Sequence, residues 1–140
     1  MPEAAAVGTP IFTARVYWED TDGGGVVYHA NYLRFLERAR TEWLRARGHV
    51  QSEIVRTQGV LFALTEITVR YLRPARLDDL LAISCEPTRD GAASMRFRQC
   101  IHRDSTAGEL LAEASVRVAC VSAATFRPRR LPEDLAKELS

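Results

Sequence analysis

The hydrophobic pattern changes its period within residues 12–48, which read FTARVYWEDTDGGGVVYHANYLRFLERARTEWLRARG. In residues 12–18 apolar and polar side chains alternate, which is the period of a strand with one buried face. Residues 19–25 interrupt this pattern with carboxylates and glycines, which resist both helix and sheet. In residues 30–47 apolar side chains recur every three or four positions, as in an amphipathic helix. The segment therefore predicts a strand, a loop and one long helix.

The predicted helix has one apolar face and one charged face. The apolar residues are Tyr32, Phe35, Leu36, Ala39, Trp43, Leu44 and Ala46. Gly48 stands where a C-terminal cap is expected, and Arg45 and Arg47 complement the negative end of the helix dipole. A shorter helical turn is expected at residues 51–57.

The rest of the chain has the pattern of a sheet. Strands are predicted at residues 59–72, 80–86, 94–102 and 109–121. Turn signals at Asp90-Gly91 and at residues 104–108 predict antiparallel hairpins between the last three of them. We therefore expect an α+β domain in which one helix packs on a five-stranded antiparallel sheet. The open edges and the second face of such a sheet favour self-association.

Length and composition narrow the classes of function. The 140 residues are predicted to divide into a flexible arm at 1–11, a single domain at 12–135 and a C-terminal tail at 136–140. Nineteen basic and eighteen acidic residues provide no strong field for a nucleic acid or a membrane surface. No apolar run approaches the roughly 20 residues that span a bilayer. Three cysteines without a Cys-x-x-Cys pair indicate a reducing cytoplasm and no zinc site.

The acidic and glycine-rich loop carries the candidate chemistry. In an extended chain Asp20 and Asp22 point to the same side, where like charges raise one pKa. Gly23–Gly25 and the amide-rich start of the helix follow at once, so a base would lie beside an oxyanion site. The alternative is a helix-entry loop with solvated aspartates. The loop lacks Gly-Lys-Ser/Thr and the later acidic ligands of a calcium loop, so neither nucleotide phosphates nor a metal is expected there.

His29 lies seven residues after Asp22, where its backbone amide is one of those that a helix leaves unpaired. Its imidazole is either a structural cap or a chemical partner of the carboxylate. His49 and His102 have no acidic or cysteine companion at ligand spacing and are expected at the surface. Without a Gly-x-Ser-x-Gly motif, and with the cysteines in strands, no hydroxyl or thiol nucleophile is predicted. The arginines of residues 127–130 either contact phosphate groups or are solvated.

Residues 15–32 resemble the hotdog-fold acyl-CoA thioesterases of the 4-hydroxybenzoyl-CoA thioesterase family, most closely the subgroup associated with the Tol-Pal complex. The motifs Glu-Asp-Thr-Asp, Gly-Val-Val-Tyr-His, Asn-Tyr and Glu-Arg-Ala-Arg carry the resemblance in that order, with later matches at residues 74–79 and 128–132. The resemblance covers residues 12–135 and implies a hotdog fold, in which the antiparallel sheet wraps the long helix. Such domains pair through their sheets into homodimers, and many form homotetramers.

The resemblance implies a cytoplasmic hydrolase that cleaves acyl-CoA thioesters without a metal or an organic cofactor. The catalytic carboxylate of the family corresponds to Asp22, and the amide that polarises the thioester carbonyl corresponds to that of His29, at an active site on the dimer interface. Asp22 is either a nucleophile that forms a mixed anhydride or a general base for water. The imidazole of His29 is expected to handle protons or position water.

Substrate-binding residues are also implied by the resemblance. Gly25, Val26 and Tyr28 are expected at the substrate pocket, with core packing as the alternative for Tyr28. Residues 88–94 align with a turn that has basic or Gly-Ser character in relatives, whereas this chain has Asp90 and two alanines there and keeps Arg89 as the one basic residue for phosphates. Residues 59–64 are expected to line the acyl channel. Coenzyme A is the expected carrier, and an acyl carrier protein is the alternative.

Two other functions suit the same fold. Hotdog hydratases, which add water to enoyl thioesters, use an Asp-x-Asn-Pro-x-His type of motif. Here His29 lies seven positions after Asp22, without Asn-Pro between them. A non-catalytic acyl-CoA-binding scaffold of a cell-envelope complex would keep the fold and would not need Asp22.

Overall fold

The computed structural model describes residues 11–139, so the predicted arm lies outside the described residues except for Ile11. The strands are β1 (Phe12–Arg15), β2 (Val60–Tyr71), β3 (Leu80–Arg89), β4 (Ser94–Arg103) and β5 (Leu110–Ser122). The helices are α1 (Asn31–Ala46), α2 (Gln51–Gln58) and α3 (Glu133–Glu138). The predicted α+β class and the single long helix are confirmed. Helix α3 spans the predicted boundary between domain and tail, and that division stays a prediction.

The five strands form one antiparallel sheet in the order β1-β3-β4-β5-β2. The two predicted hairpins, β3–β4 and β4–β5, are confirmed. The edges of the sheet differ in length, because β1 has four residues and β2 has twelve. One irregularity interrupts the pairing of β2 with β5, between Leu64 and Glu66. The sheet therefore presents one long edge strand.

Helix α1 buries its predicted apolar face against the sheet, where Trp43 packs edge-to-face on Phe97 of β4 with ring centroids 6.1 Å apart. Ala46, at the end of that face, is exposed instead. Gln99 lies in the buried row of β4 and is fully buried. Its amide nitrogen donates to the Leu36 carbonyl of α1, so the helix and sheet share one satisfied polar contact inside the core.

The prediction that the first strand reaches Trp18 is wrong. Strand β1 ends at Arg15, and Trp18–Asp20 form a 3-10 turn in which the Asp20 carboxylate accepts a hydrogen bond from the Tyr17 amide at 2.8 Å. The turn directs Trp18 towards solvent, with 69% of its surface exposed, although Val16 is buried as predicted. A carboxylate that caps its own turn overrides the alternating pattern.

His49 and His102, which were expected at the surface, are both partly buried. The His49 side chain is 11% exposed, and its Nε2 lies 2.5 Å from Glu138 Oε2 of α3. His102 has a buried Nδ1 with no hydrogen-bond partner among residues 11–139. The carboxylate partner of His49 is 89 residues away in the chain, so local spacing did not reveal it.

Candidate active site

The glycine loop is a closed turn that leads into α1. The Asp22 amide donates to the Val26 carbonyl at 3.1 Å, and the residues between them reverse the chain. Gly23 and Gly25 have φ values of +93° and +86°, a region that side chains other than glycine rarely adopt. The consecutive glycines are therefore required by the backbone of the turn.

Hydrogen bonds fasten this turn to the connection between β2 and β3. The Val27 amide donates to the Ala75 carbonyl at 2.8 Å, and the Leu77 amide donates to the Gly25 carbonyl at 3.0 Å. On the other side, the Asp20 carbonyl accepts from the Tyr28 amide. The loop, the start of α1 and the start of β3 thus lie together at one end of the domain.

The two aspartates of the loop have different environments. Asp22 is exposed, and its Oδ1 accepts a hydrogen bond from the Gly24 amide at 2.8 Å. A Cβ on residue 24 would lie 3.2 Å from that oxygen, so glycine leaves room for the carboxylate. No donor among residues 11–139 is bonded to Oδ2 of Asp22. Asp20 instead caps the 3-10 turn, which makes it structural and leaves Asp22 as the available carboxylate.

The backbone before α1 presents an unpaired amide. Tyr28 O accepts from the Asn31 amide at 2.8 Å, and this bond orients the peptide that carries the His29 N–H. Among the described residues, that N–H donates to no acceptor. The His29 imidazole is exposed, 4.5 Å from the Tyr28 ring between centroids, and no described contact joins it to Asp22. The structure therefore provides a free amide donor at the positive end of the helix dipole.

Tyr71 is a residue of this site that the sequence did not single out. At the end of β2 its hydroxyl donates to the His29 carbonyl at 2.9 Å, and its ring packs edge-to-face on buried Tyr32, 5.1 Å away. Burial and the neighbouring Tyr32 raise the pKa of Tyr71, which keeps the hydroxyl a donor. The available signal was an aromatic residue at the end of an alternating strand, which does not distinguish this role from core packing.

The remaining candidate residues divide between two ends of the domain. Gly25 and Val26 belong to the closed turn, and Tyr28 is 46% exposed, which excludes core packing. Arg89 lies at the far end of β3, where its Nε donates to the Gly91 carbonyl at 3.0 Å. Nine residues of strand, about 30 Å, separate it from the start of β3 beside the loop. One chain therefore does not bring Arg89 to Asp22.

Two cavities of the domain are lined by residues that the sequence singled out, and neither includes Asp22 or His29. A cavity of about 250 Å³ beside Arg89 is lined by Ala92, Arg130, Leu131, Glu133, Ala136 and Lys137. A cavity of about 110 Å³ lies between α1 and β2 and includes Phe62 and Leu64, from the segment expected at the acyl channel. Within residues 11–139 no group of three His, Cys, Asp or Glu side chains is placed to hold a metal. Nor does that part of the chain contain a helix long and apolar enough to cross a membrane.

Comparison with known proteins adds relatives of stated function. The thioesterase-like superfamily profile matches residues 16–139. The chain is 46% identical over 125 residues to the acyl-CoA thioester hydrolase YbgC of Escherichia coli O6:H1, covering 89% of this chain and 90% of that protein. It is 40% identical over 124 residues to the acyl-CoA thioesterase YbgC of Haemophilus influenzae, with 89% of each chain covered.

Solved structures agree with these sequence relatives. A probable thioesterase from Bartonella henselae superposes with a TM-score of 0.82 at 36% identity, covering 89% of this chain and 99% of that one. A 1,4-dihydroxy-2-naphthoyl-CoA thioesterase from Synechocystis superposes with a TM-score of 0.85 at 24% identity, covering 94% and 96%, and shares the fold. The hotdog fold implied by the resemblance is thereby confirmed. The chain belongs to the thioesterase-like superfamily, within which it is similar to the YbgC acyl-CoA thioesterases.

Proposed function

We propose that this protein hydrolyses acyl-CoA thioesters to the free acid and coenzyme A, with Asp22 as its catalytic carboxylate. The observation that carries the proposal is the position of Asp22, exposed and held through one oxygen, in the turn that leads to the unpaired His29 amide. The names of the YbgC relatives, at 46% and 40% identity, support the same activity.

In this proposal the thioester carbonyl oxygen accepts the His29 N–H at the start of α1. Negative charge that develops on this oxygen is stabilised by the amide and the helix dipole, worth a few kcal/mol in a dry site. The bond from Asn31 to the Tyr28 carbonyl and the bond from Tyr71 to the His29 carbonyl hold the peptides on either side of His29. The amide is therefore oriented before substrate binds.

Two routes use the same Asp22 carboxylate. As a nucleophile, an oxygen of Asp22 attacks the carbonyl carbon, the C–S bond breaks to release the CoA thiolate, and water cleaves the resulting anhydride. As a general base, the carboxylate takes a proton from water while the water oxygen attacks the same carbon, and the proton then passes to the leaving thiolate. In both routes the exposed His29 imidazole is available to carry protons or to position water. Tyr28, with Gly25 and Val26, forms the wall beside the reacting group.

A second copy of the chain is part of the proposal. The exposed edge of β2 is twelve residues long and includes Leu64 and Tyr71, which are 52% and 48% exposed. Antiparallel pairing of two β2 edges covers this strand and sets the Tyr71 end of one copy beside the Val60 end of the other. The active site then lies at the interface of a homodimer, from which a homotetramer can be assembled.

This pairing also gives Arg89 a role that it does not have within one chain. Arg89 and Arg130, with Lys137, surround the cavity of about 250 Å³ at the end of the domain opposite Asp22. In an antiparallel pair, the cavity of one copy approaches the active site of the other. Guanidinium and ammonium groups there suit the phosphates of coenzyme A. The same cations would also suit the phosphopantetheine of an acyl carrier protein, the alternative carrier.

We place the protein in the cytoplasm, because Cys85, Cys100 and Cys120 are all free, as a reducing compartment requires. The association with a Tol-Pal complex that the resemblance implies belongs to this proposal as well. No observation of the structure favours the hydratase or the non-catalytic scaffold.

The experiment that tests the proposal is colorimetric thiol release from acyl-CoAs of short to long chain and from an aromatic acyl-CoA. Asp22→Asn is expected to lose at least about 100-fold in turnover, because it removes the base or nucleophile at nearly constant volume. Asp20→Asn is the matched control, since Asp20 caps the 3-10 turn and is expected to lose less than about 10-fold. Retention of most activity by Asp22→Asn would contradict the assignment of this residue.

If the wild type releases no thiol from any acyl-CoA, hydrolysis of acyl-CoA is contradicted, and a scaffold or a carrier-protein substrate is favoured. Sedimentation of the wild type tests the second copy separately. A monomer at micromolar concentration is the result that would overturn the shared active site.

A further inference from the structure

A single arginine side chain holds the segment that connects β2 to β3, residues 72–79. Arg103, the last residue of β4, donates from Nη1 to the Asp79 carboxylate and from Nη2 to the Pro74 carbonyl, the latter at 3.1 Å. These two acceptors are five positions apart and lie on either side of the middle of the segment. Because a guanidinium presents its donors in a fixed fork, one side chain sets the separation of the two acceptors.

The guanidinium is itself fixed by the hairpin that follows it. Its Nε and Nη2 donate to Glu109 Oε1 at 3.3 and 3.2 Å, and the Arg103 amide donates to the Glu109 carbonyl at 2.9 Å. The side chains of Arg103 and Asp79 are 23% and 18% exposed, so solvent screens their contact less than it screens a fully exposed ion pair. Arg103 therefore ties the connecting segment to the β4–β5 hairpin.

The middle of the connecting segment is the outer strand of a small ladder that contains Asp22. Arg76 forms an antiparallel bridge with Val26, at the end of the glycine turn. Val27 forms a second bridge, with Thr21. The Asp22 amide donates to the Val26 carbonyl at 3.1 Å. Asp22 thus lies two strand spacings, about 10 Å, from the connecting segment, and backbone hydrogen bonds span that distance.

The same segment contacts the helix that follows the His29 amide. The Tyr32 hydroxyl of α1 accepts a buried hydrogen bond from the Ala75 amide at 2.9 Å. A shift of the connecting segment therefore changes the position of the Asp22 carboxylate relative to the start of α1.

The backbone of the segment is strained beside the residue that Arg103 holds. Asp78 has a φ of +71°, in the left-handed region that residues other than glycine adopt at an energetic cost. The Asp78 amide donates to the Val16 carbonyl at 3.0 Å, and the Val16 amide donates to the Asp79 carbonyl at 2.9 Å. Such a conformation persists only where several contacts determine it, and the bond from Arg103 to the Asp79 carboxylate is one of them.

We propose that Arg103 is a positioning residue for the hydrolysis, because it sets the place of the Asp22 carboxylate relative to the His29 amide. Among residues 11–139 its side chain bonds to the connecting segment and to Glu109, and not to Asp22 or His29, so it acts through the backbone. This inference rests on the proposed thioesterase function and adds the residue that orients its carboxylate.

Arg103→Met removes the fork and keeps a side chain of similar length. We expect kcat to fall by about 10-fold or more, because a small displacement of a catalytic group is costly. KM is expected to change by less than about twofold, since Arg103 does not contact the acyl group. Arg103→Lys keeps the charge without the fork and is expected to lose kcat by a smaller factor.

Arg96→Met is the matched control. Arg96 belongs to the same strand and pairs with Glu66 and Asp90 at 3.2 and 3.8 Å. It lies seven positions before Arg103, about 23 Å along β4, and has no described contact with the connecting segment. The control is expected to keep the wild-type kcat.

A second background separates positioning from a general loss of stability. Asp22→Asn has no carboxylate to misplace, so adding Arg103→Met is expected to lower its residual turnover by less than about twofold. A similar loss of about 10-fold in both backgrounds would overturn the inference, as would an Arg103→Met variant within about twofold of the wild-type kcat. If Arg103→Met does not fold, Arg103→Lys takes its place in the same comparison.

Amide hydrogen exchange makes the test independent of turnover. In Arg103→Met the Val27 and Leu77 amides, which bond the glycine turn to the connecting segment, are expected to exchange about 10-fold faster or more, while Arg96→Met keeps the wild-type rates. If exchange changes in this way and the wild type releases no thiol, only the proposed hydrolysis fails. If the wild type hydrolyses acyl-CoAs and exchange at both amides is unchanged in Arg103→Met, only the positioning inference fails.

Discussion

The two ends of α1 differ in whether the backbone groups there have hydrogen-bond partners. Every helix leaves backbone groups without partners at both termini. At the C-terminal end, the amides of Gly48 and His49 donate to the carbonyls of Arg45 and Leu44 at 3.0 and 2.8 Å. At the N-terminal end, the His29 amide has no acceptor among the described residues.

Side chains follow the same division. At the C-terminal end, Arg47 stacks over Trp43, and Glu138 of α3 binds both His49 and Arg47, at 2.5 and 3.6 Å. At the N-terminal end, the Asp22 and His29 side chains are exposed, and Tyr71 fixes only the backbone. One end of the helix is tied to the body of the domain, while the amide before the other end is oriented by neighbouring bonds and has no acceptor among the described residues. The comparison predicts that substitutions at the open end change turnover and that those at the closed end change stability.

After the loss expected for Asp22→Asn, the largest effect is expected from Gly24→Ala. The added Cβ would lie 3.2 Å from Asp22 Oδ1, so the carboxylate must move by a few tenths of an ångström. Displacement of a catalytic group lowers kcat/KM, here by roughly 10-fold. Steady-state kinetics with a circular dichroism spectrum of the variant check this. A native spectrum with wild-type kinetics would show that activity does not depend on the exact position of the Asp22 carboxylate.

Tyr71→Phe is expected to lower kcat severalfold and KM less. The substitution keeps the ring on Tyr32 and removes the bond of 2.9 Å to the His29 carbonyl. The peptide after His29 then has no partner to hold it, and stability falls by about 1 kcal/mol. Kinetics and urea unfolding on the same preparation separate the two effects. Equal losses in kcat and in affinity would argue for direct contact of Tyr71 with substrate.

Glu138→Gln tests the closed end and is expected to leave kcat unchanged. It weakens the partly buried pairs with His49 and Arg47, which lowers stability by about 0.5–1 kcal/mol. For a chain of this size the thermal midpoint falls by roughly 3 °C. A clear loss of turnover at a temperature where the variant is fully folded would break the division between the two ends.

The smallest effect is expected on the pH dependence of stability. It involves His102 on β4, which lies outside both ends of α1. Burial lowers the pKa of His102, so the unfolded chain takes up a proton that the folded chain resists. The stability associated with neutral His102 is present above the unfolded pKa of about 6.5 and is lost as pH falls through the lowered folded pKa. His102→Phe is therefore expected to lose less stability than the wild type between about pH 7.5 and 5. Equal losses by urea unfolding would assign the pH dependence to other groups.

The sequence predicted those features of the fold that depend on a few neighbouring residues, and it missed those that depend on remote contacts. The bounds of α1, the αL glycine at Gly48 and both hairpins follow from periodicity and turn chemistry over a few residues, and all were predicted. Trp18 was predicted wrongly because the cap from Asp20 to Tyr17 ends the strand early. Gln99 was not singled out from the sequence, because its partners Leu36 and Arg40 lie on α1, 63 and 59 residues away in the chain.

The candidate site divides in the same way. Asp22 and the start of α1 were found because a carboxylate, three glycines and a helix N-terminus are adjacent in sequence. Tyr71 was not found, because it lies 42 positions after His29, and two helices and a strand must fold before the two residues meet. The separation of Arg89 from Asp22 is likewise invisible in the sequence, since it depends on the direction of β3 in the sheet.

The sequence by itself determined the α+β class, the long central helix, the glycine turn and the family resemblance, because hydrophobic period, caps and turns are properties of neighbouring residues. The tertiary structure alone decided which donors stay unpaired, which side chains are buried and what they contact. Three contacts join residues that are remote in the chain: the hydrogen bond from Tyr71 to His29, the pair of His49 with Glu138, and the hydrogen bond from Arg40 to Gln99. Burial and long-range pairing exist only after the helix and sheet have packed, so no local pattern encodes them.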